Sequence, residues 1–397
     1  MPLSTTNAPI TLTEYQPTLL DAHLLSDSVA QLLWCDYRHL IEIEAPSFKT
    51  GGGWRLTNLG WAGYLPLPAG LGIALQPKVA LRTLLRMVEY AYDLPSLRLF
   101  DGWFPAQSVP EFYEVLALLL AKRILTRCRQ GLYRTYRVQE TTLPYVRGQL
   151  QLARVLQQPA HIDLPCRFQE HTADVADNQI LLWTLQQIGR SELCGVRAAP
   201  VVRLAVRALQ GSVSAHPFTP WACRQRTYTR LNQDYAPLHG LCAFFLEHTS
   251  PSHRLGDLPA MPFVVEMARL YERFVAAWLR AHVGEGWRIQ AQESHAISGD
   301  QRFAIDLVLY ERSSGTVRCV MDTKYKAATR ADMADVAQVV AYAQAKGATN
   351  AVLIYPQLLA TPLDAMIGDI RVRTLAFTLD GDLDQAGRAL LTQVITG

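Results

Sequence analysis

The segment FAIDLVLYERSSGTVRCVMDTKYK, residues 303–326, holds two aspartates and a lysine whose spacing on two adjoining strands would bring them to one spot. Residues 303–311 alternate as a strand does, with Phe303, Ile305, Leu307 and Leu309 on one face and Ala304, Asp306, Val308 and Tyr310 on the other. Ser313, Ser314 and Gly315 then supply a turn. In the return strand, 318–325, Val320, Asp322 and Lys324 share a face because residues two apart point the same way. Two carboxylates on neighbouring strands suit a hard cation such as Mg²⁺, or Mn²⁺, which takes oxygen ligands and keeps water, with room for a substrate phosphate and an attacking water. Asp306 and Asp322 are the expected ligands. An amine two residues past the second carboxylate can orient that water, stabilise charge or accept a proton, and Lys324 is that group. The chemistry would be phosphodiester hydrolysis. Because D-x-K is short and common, a hairpin face carrying ordinary charges is the competing reading of these residues taken alone.

The flanking segments favour the site. Residues 263–283 read as an amphipathic helix whose apolar side holds Val264, Met267, Leu270, Tyr271, Phe274, Val275, Trp278 and Leu279. Glu272 borders that side, as a solvated edge residue or as a carboxylate held near the metal. Residues 331–346 read as a second helix, with Gln338 and Tyr342 four apart on one side of it. The run AVLIY at 351–355 reads as a short buried strand closed by Pro356. Helix, hairpin, helix and strand in this order make a compact α/β core.

Glu272, Asp306, the pair Asp322 and Lys324, and Gln338 with Tyr342 resemble the ordered motif set of the PD-(D/E)xK nuclease superfamily, including the Q-xxx-Y helix of its RecB-like branch. LYERFV around Glu272 and MDTKYK around Lys324 are similar, more narrowly, to the McrC family, the nuclease subunits of McrBC modified-cytosine-dependent restriction systems. LQPKV at 75–79 with the following LLRMVEYAYDL, PYVRGQL at 144–150 and DNQILLWTL from Asp177 extend the resemblance over nearly the whole chain, the first fifty residues matching least clearly. One departure is visible: Ile305 stands where the superfamily carries a proline before its first aspartate.

The resemblance implies a Mg²⁺-dependent DNA endonuclease that cuts 5-methylcytosine-containing double-stranded DNA only when assembled with a GTP-hydrolysing, McrB-like AAA+ partner. The partner would read the modified base and translocate. The resemblance further implies Asp306, Asp322 and Glu272 as metal ligands, Lys324 as the catalytic amine, and Gln338 and Tyr342 as support or DNA-backbone contacts. Stimulation of the partner's GTPase would reside mainly before Leu150. GTP would enter through the partner alone, since the only glycine cluster, Gly51 to Gly53, lacks the Gly-Lys-Ser/Thr of a phosphate-binding loop and reads as a hairpin turn. Two other classes stay open: a free-standing repair nuclease with the same core, and a subunit whose main role is to regulate the partner.

Composition places these motifs in a globular setting. At 397 residues and 49% hydrophobic content the chain can build two or three domains. No uninterrupted apolar stretch reaches membrane-spanning length, the longest, 115–121, being broken by Lys122 and Arg123. The start, MPLSTTNAPITLTEY, has neither a basic nor an apolar export region, so a cytoplasmic location is expected. Seven cysteines without a C-x-x-C pair fit reduced thiols. His239, Cys242, His248 and His253, with Cys223 upstream, match no common zinc spacing and read better as scattered, partly buried side chains.

Net charge is +3, but sixteen Lys and Arg against six Asp and Glu fall between residues 118 and 233, a surplus of ten. Arg134, Arg137 and Arg147, interleaved with Tyr133, Tyr136 and Tyr145, are the candidates for contact with DNA phosphates or with a partner subunit, whose faces call for the same composition. The organisation expected is mixed α/β and multidomain: a strand-rich, partner-binding domain at 1–110, a mainly helical basic region at 111–255, and a PD-(D/E)xK α/β core at 256–397. Clear helices are expected at 79–93 and 111–130. A linker should run from 248 to 262, and a closing strand and helix should follow residue 370.

Overall fold

The run NAVLIY is buried along all six residues, as a strand covered on both faces must be, and it lies inside a six-stranded mixed sheet. This computed structural model describes residues 9–94, 106–157, 162–249, 254–255, 258–259, 261–298 and 301–396. The sheet order is Trp287–Ser298, Gln301–Glu311, Val317–Thr323, Asn350–Tyr355, Ile370–Ala376 and Asp364–Ile367. The first three strands are antiparallel neighbours, Asn350–Tyr355 runs parallel to the strand on either side of it, and the last is an antiparallel edge. Between the third and fourth strands the chain forms helix Met333–Lys346. Its start is set by the Asp332 side chain, which accepts from Ala334 N, and its end by Gly347 at φ 64°. Val336, Val339 and Ala343 of this helix join Val308, Val320, Ala351, Leu353 and Val372 in one apolar cluster. Helix Met267–His282 and the closing helix Leu383–Thr396 pack together and against the same sheet.

One expected helix is shorter than the sequence reading has it. Phe263–Glu266 is a strand, paired antiparallel with Trp61–Pro66, and only then does helix Met267–His282 begin. The FVVE run alternates buried and half-buried, and Gly63 admits it: a Cβ there would stand 2.1 Å from Phe263 O. This strand completes a sheet with Ile10–Thr13 and Gly72–Gln76. A second small sheet, Pro17–Leu20 with Trp54–Asn58 and Ile41–Glu44, and helix Asp27–Asp36 close the core around Leu12, Leu33, Ile41, Leu56, Leu65 and Leu75. Gly51 and Gly52, at φ 63° and 83°, form the turn expected of them.

Contacts gather the chain into two units, Met1–Pro110 with Arg254–Gly397, and Glu111–His253. Residues before and after the middle region thus build one unit, where the sequence reading divided them at 110 and 256. Of the expected 248–262 linker, the described part includes a short pairing of Arg254–Leu255 with Leu258–Pro259.

The middle unit contains helices Val109–Gln130, Ala176–Arg190, Ala199–Gln210 and Ala236–His248, and also an antiparallel sheet that a mainly helical reading missed. Its strands Thr135–Leu143 and Leu164–Thr172 pair over nine residues, with Gln149–Leu150 alongside. Most residues of Thr135–Leu143 are exposed, so no apolar face marks it in the sequence. Among the described residues no helix is long and apolar enough to cross a membrane.

Candidate metal and phosphodiester site

Lys324 leaves the end of strand Val317–Thr323, its backbone N–H donating to Ile354 O at 2.8 Å. Its ammonium stands 2.7 Å from Asp322 Oδ2, donates to Gln338 Oε1 at 2.9 Å, and lies 3.5 Å from Asp335 Oδ1. Gln338 Nε2 in turn donates to Tyr342 OH at 2.7 Å. Gln338 and Tyr342 therefore support the lysine, and Asp335, one turn before Gln338, is a carboxylate the sequence reading passed over. Its position three residues before Gln338 on the same helix was the available signal.

Leu307 pairs with Met321, so the next residues outward, Asp306 and Asp322, are cross-strand neighbours. Asp306 Oδ2 accepts from Thr323 N at 3.0 Å and Thr323 Oγ1 at 2.9 Å. Strict alternation breaks here: Ile305 and Val308, three apart, both enter the cluster beneath helix Met333–Lys346, whereas the sequence reading assigned them to opposite faces. Gln292, opposite Asp306 between the pairs Ala291↔Leu307 and Glu293↔Ile305, takes φ 53°, a left-handed backbone uncommon for a residue with a side chain. Its amide donates to Glu272. Gln292 thus ties the carboxylate of helix Met267–His282 to the hairpin, a role with no signal in the sequence.

The carboxylates oppose one another. Burial, and then the charge of Asp306, push Asp322 up to about 6. Burial and Asp306 push Glu272 up to about 7, with Asp322 adding to the rise. For Lys324 burial alone would lower the pKa, but its hydrogen bond to Asp322 and the charges of Asp322, Asp335 and Asp306 outweigh that and raise it, so the amine keeps its proton. Asp322 Oδ2 is buried and accepts no well-directed hydrogen bond, its neighbour being the Lys324 ammonium.

Such a set fits a hard divalent cation: oxygen donors only, mutually repelling, one of them incompletely satisfied. Among the described residues no three Asp, Glu, His or Cys groups close into a ready-made cage. Mg²⁺ does not require one, since it retains several waters beside one or two carboxylates.

The other candidates lie in the middle unit. Arg134 and Arg137 are exposed, just before and within strand Thr135–Leu143. The exposed Arg147 guanidinium stands 4.0 Å from the Phe168 ring centroid and pairs with Glu170 at 3.7 Å. Arg137 is in the sheet, while Arg134 precedes its first strand and Arg147 lies in the loop before Gln149–Leu150, so none of the three is on a helix face. At the zinc candidate, His239 Nε2 meets Asp177 O and Nδ1 meets Tyr228 OH, both at 2.9 Å, so both ring nitrogens are engaged. Cys223 and Cys242 are buried, and His253 lies outside the described residues. The DNQ motif that begins at Asp177 explains this region structurally: Asp177 receives Arg226 at 2.7 Å, and Asn178 binds Tyr133 O, Ala173 O and Tyr235 OH.

The fold is shared with a solved structure. The chain matches one from the Thermococcus gammatolerans assembly of McrB AAA+ hexamers with bound McrC, at TM-score 0.60 and 16% identity over 98% of this chain and 100% of that one. A cryo-EM structure of the Thermococcus gammatolerans McrBC complex matches at TM-score 0.46 and 19% identity, over 68% of this chain and 87% of that one. The model of the family described as McrBC 5-methylcytosine restriction system component matches residues 56–356, more than half of the chain, and the protein belongs to that family. The McrC resemblance seen in LYERFV, MDTKYK and the flanking motifs is thereby borne out. Comparison with curated proteins gives no match.

Proposed function

We propose that this protein is the DNA-cutting subunit of a 5-methylcytosine-dependent restriction system, with a PD-(D/E)xK core, acting in complex with a GTP-hydrolysing McrB-like AAA+ partner whose GTPase it stimulates. The observation that carries the reading is the grouping of Asp306, Asp322, Glu272 and Lys324 at one end of the hairpin, with Gln338 and Tyr342 behind the lysine. Membership of the family supports the biological setting.

Asp306 and Asp322 would hold Mg²⁺ or Mn²⁺, with Glu272 beside them. A bound cation supplies Lewis-acid polarisation of a phosphoryl oxygen and draws down the raised carboxylates. Lys324, kept protonated by Asp322 and Asp335, directs hydrogen-bond donors and positive charge to the place where a phosphodiester would gather negative charge. Thr323 holds Asp306 in a fixed orientation, and Gln292 does the same for Glu272. Gln338 takes one of the three ammonium hydrogens and so restricts where the others point. The exposed Arg134 and Arg137 would meet DNA phosphates or the partner.

Cleavage of methylated and unmethylated plasmid by wild type and Lys324→Ala, in Mg²⁺, with and without the AAA+ partner and GTP, tests this. Cutting of methylated DNA by wild type plus partner, abolished by the substitution, is the expected result. Equal cutting without the partner would make the protein a free-standing nuclease. Cutting unaffected by the substitution would move the chemistry elsewhere.

A further inference from the structure

Glu14 follows strand Ile10–Thr13 and is 2% exposed, far in sequence from the site residues. Its Oε2 accepts the Lys78 backbone N–H and the Tyr325 hydroxyl, each at 3.1 Å, while Oε1 is buried without a hydrogen-bond partner. The Lys78 ammonium stands 4.6 Å from the Tyr325 ring centroid and 5.2 Å from that of Tyr15. Tyr325 is itself buried and meets the Tyr271 ring at 5.6 Å between centroids. A buried carboxylate with an idle oxygen is a costly way to fill space, which an apolar side chain would do better. What the carboxylate adds is a directed hold on one hydroxyl.

That hydroxyl belongs to the residue after Lys324. The tyrosine held by Glu14 and the lysine facing Asp322 therefore share one short piece of main chain. The piece lies past the end of its strand, in a tight turn where Lys326 N donates to Lys324 O at 3.0 Å. Beyond the strand, ladder hydrogen bonds no longer fix the backbone, and the Lys324 N–H to Ile354 O is the last of them. The turn is then held by side chains: Lys326 pairs with Asp335 at 2.5 Å and Asp332 at 3.7 Å, and Tyr325 is the anchor toward the N-terminal sheet.

We infer that Glu14 and Lys78 are positioning residues for Lys324: by gripping the hydroxyl and ring of Tyr325 from the N-terminal sheet, they set where the 324–326 turn, and with it the ammonium, stands relative to Asp322. This rests on the nuclease reading of Lys324. It also gives the LQPKV motif, which contains Lys78, a physical role at a site 246 residues later. Misplacing a catalytic group by about 1 Å can cost on the order of 100-fold in rate.

The test uses the full chain with its AAA+ partner, GTP, Mg²⁺ and methylated plasmid under single-turnover conditions, together with backbone deuterium exchange over residues 321–330. Tyr325→Phe, which removes one oxygen, and Glu14→Ala should each lower the maximal cutting rate about 10- to 100-fold with unchanged half-saturation by DNA. Both should speed exchange at 324–326. Glu14→Gln, which keeps an acceptor for the hydroxyl, should recover most of the rate. Wild-type rate and exchange in Tyr325→Phe would overturn the proposal. Wild-type cutting by Lys324→Ala would overturn the nuclease reading instead, and the exchange measurement then decides the anchor by itself.

Discussion

The start of helix Ala176–Arg190 and the end of strand Val317–Thr323 both bury charged and polar side chains, with opposite consequences. At the helix start, Asp177 is met by Arg226 and Asn232, and Asn178 uses its oxygen and its amide on Tyr235, Tyr133 and Ala173. Every side-chain oxygen there has a donor. At the strand end, the charge of Asp306 raises the cost of ionising Asp322 and Glu272, and Asp322 Oδ2 lacks a well-directed donor. A satisfied cluster holds segments together, whereas a cluster of like charges is retained for what it can bind or catalyse.

The largest expected effect separates the two by activity. Lys324→Ala should lower cutting on the order of 10²- to 10⁴-fold if this amine acts on substrate, a loss far larger than the drop in melting temperature that follows from leaving Asp322 and Asp335 without their cation. Asn178→Ala should instead destabilise the fold by about 3 kcal/mol in a denaturant titration, because it strands several buried partners, while the folded fraction cuts at the wild-type rate. A loss of cutting by Asn178→Ala at full stability would erase the distinction.

Next in size is a gain of stability at the carboxylate cluster. Asp322→Asn should abolish metal-dependent cutting yet stabilise the protein by on the order of 2 kcal/mol at pH 7.5, because a carboxylate that burial and Asp306 push up to about 6 is a penalty on the folded state. The same shifts set a pH dependence. Between the ordinary carboxylate range near 4 and the folded values of about 6 for Asp322 and about 7 for Glu272, the folded chain binds more protons than the unfolded one. The contribution of these groups to stability therefore falls as pH rises through that window. Melting temperature should show this decline in wild type and less of it in Asp322→Asn. Added Mg²⁺ should raise the wild-type value more at pH 7.5 than at pH 5.

The smallest effect concerns the exposed sheet. Arg134→Gln with Arg137→Gln should reduce the salt slope of DNA binding by about one for each phosphate no longer neutralised. Arg147→Gln should change it less, since that guanidinium is already engaged by Phe168 and Glu170. An unchanged slope in the double variant would assign this face to the partner.

What the amino-acid sequence determined by itself is the local part of the site. Asp322 beside Lys324 follows from a two-residue period, Gln338 beside Tyr342 from a four-residue one, and the facing of Asp306 and Asp322 from one short turn. The helix at 333–346 and the buried strand at 350–355 were legible for the same reason: apolar periodicity is a local property. Tertiary structure alone decided the rest. Phe263–Glu266 became a strand because Trp61–Pro66 offered it an open edge. Arg137 lies in a strand whose exposed faces left no pattern to read, with Arg134 and Arg147 in the segments beside it. Glu14 and Tyr325 meet across 311 residues, and Gln292 reaches Glu272 only by way of a left-handed turn of the backbone. A buried polar group takes its meaning from the groups that surround it, and those are chosen by the packing of distant segments, which no short-range spacing encodes.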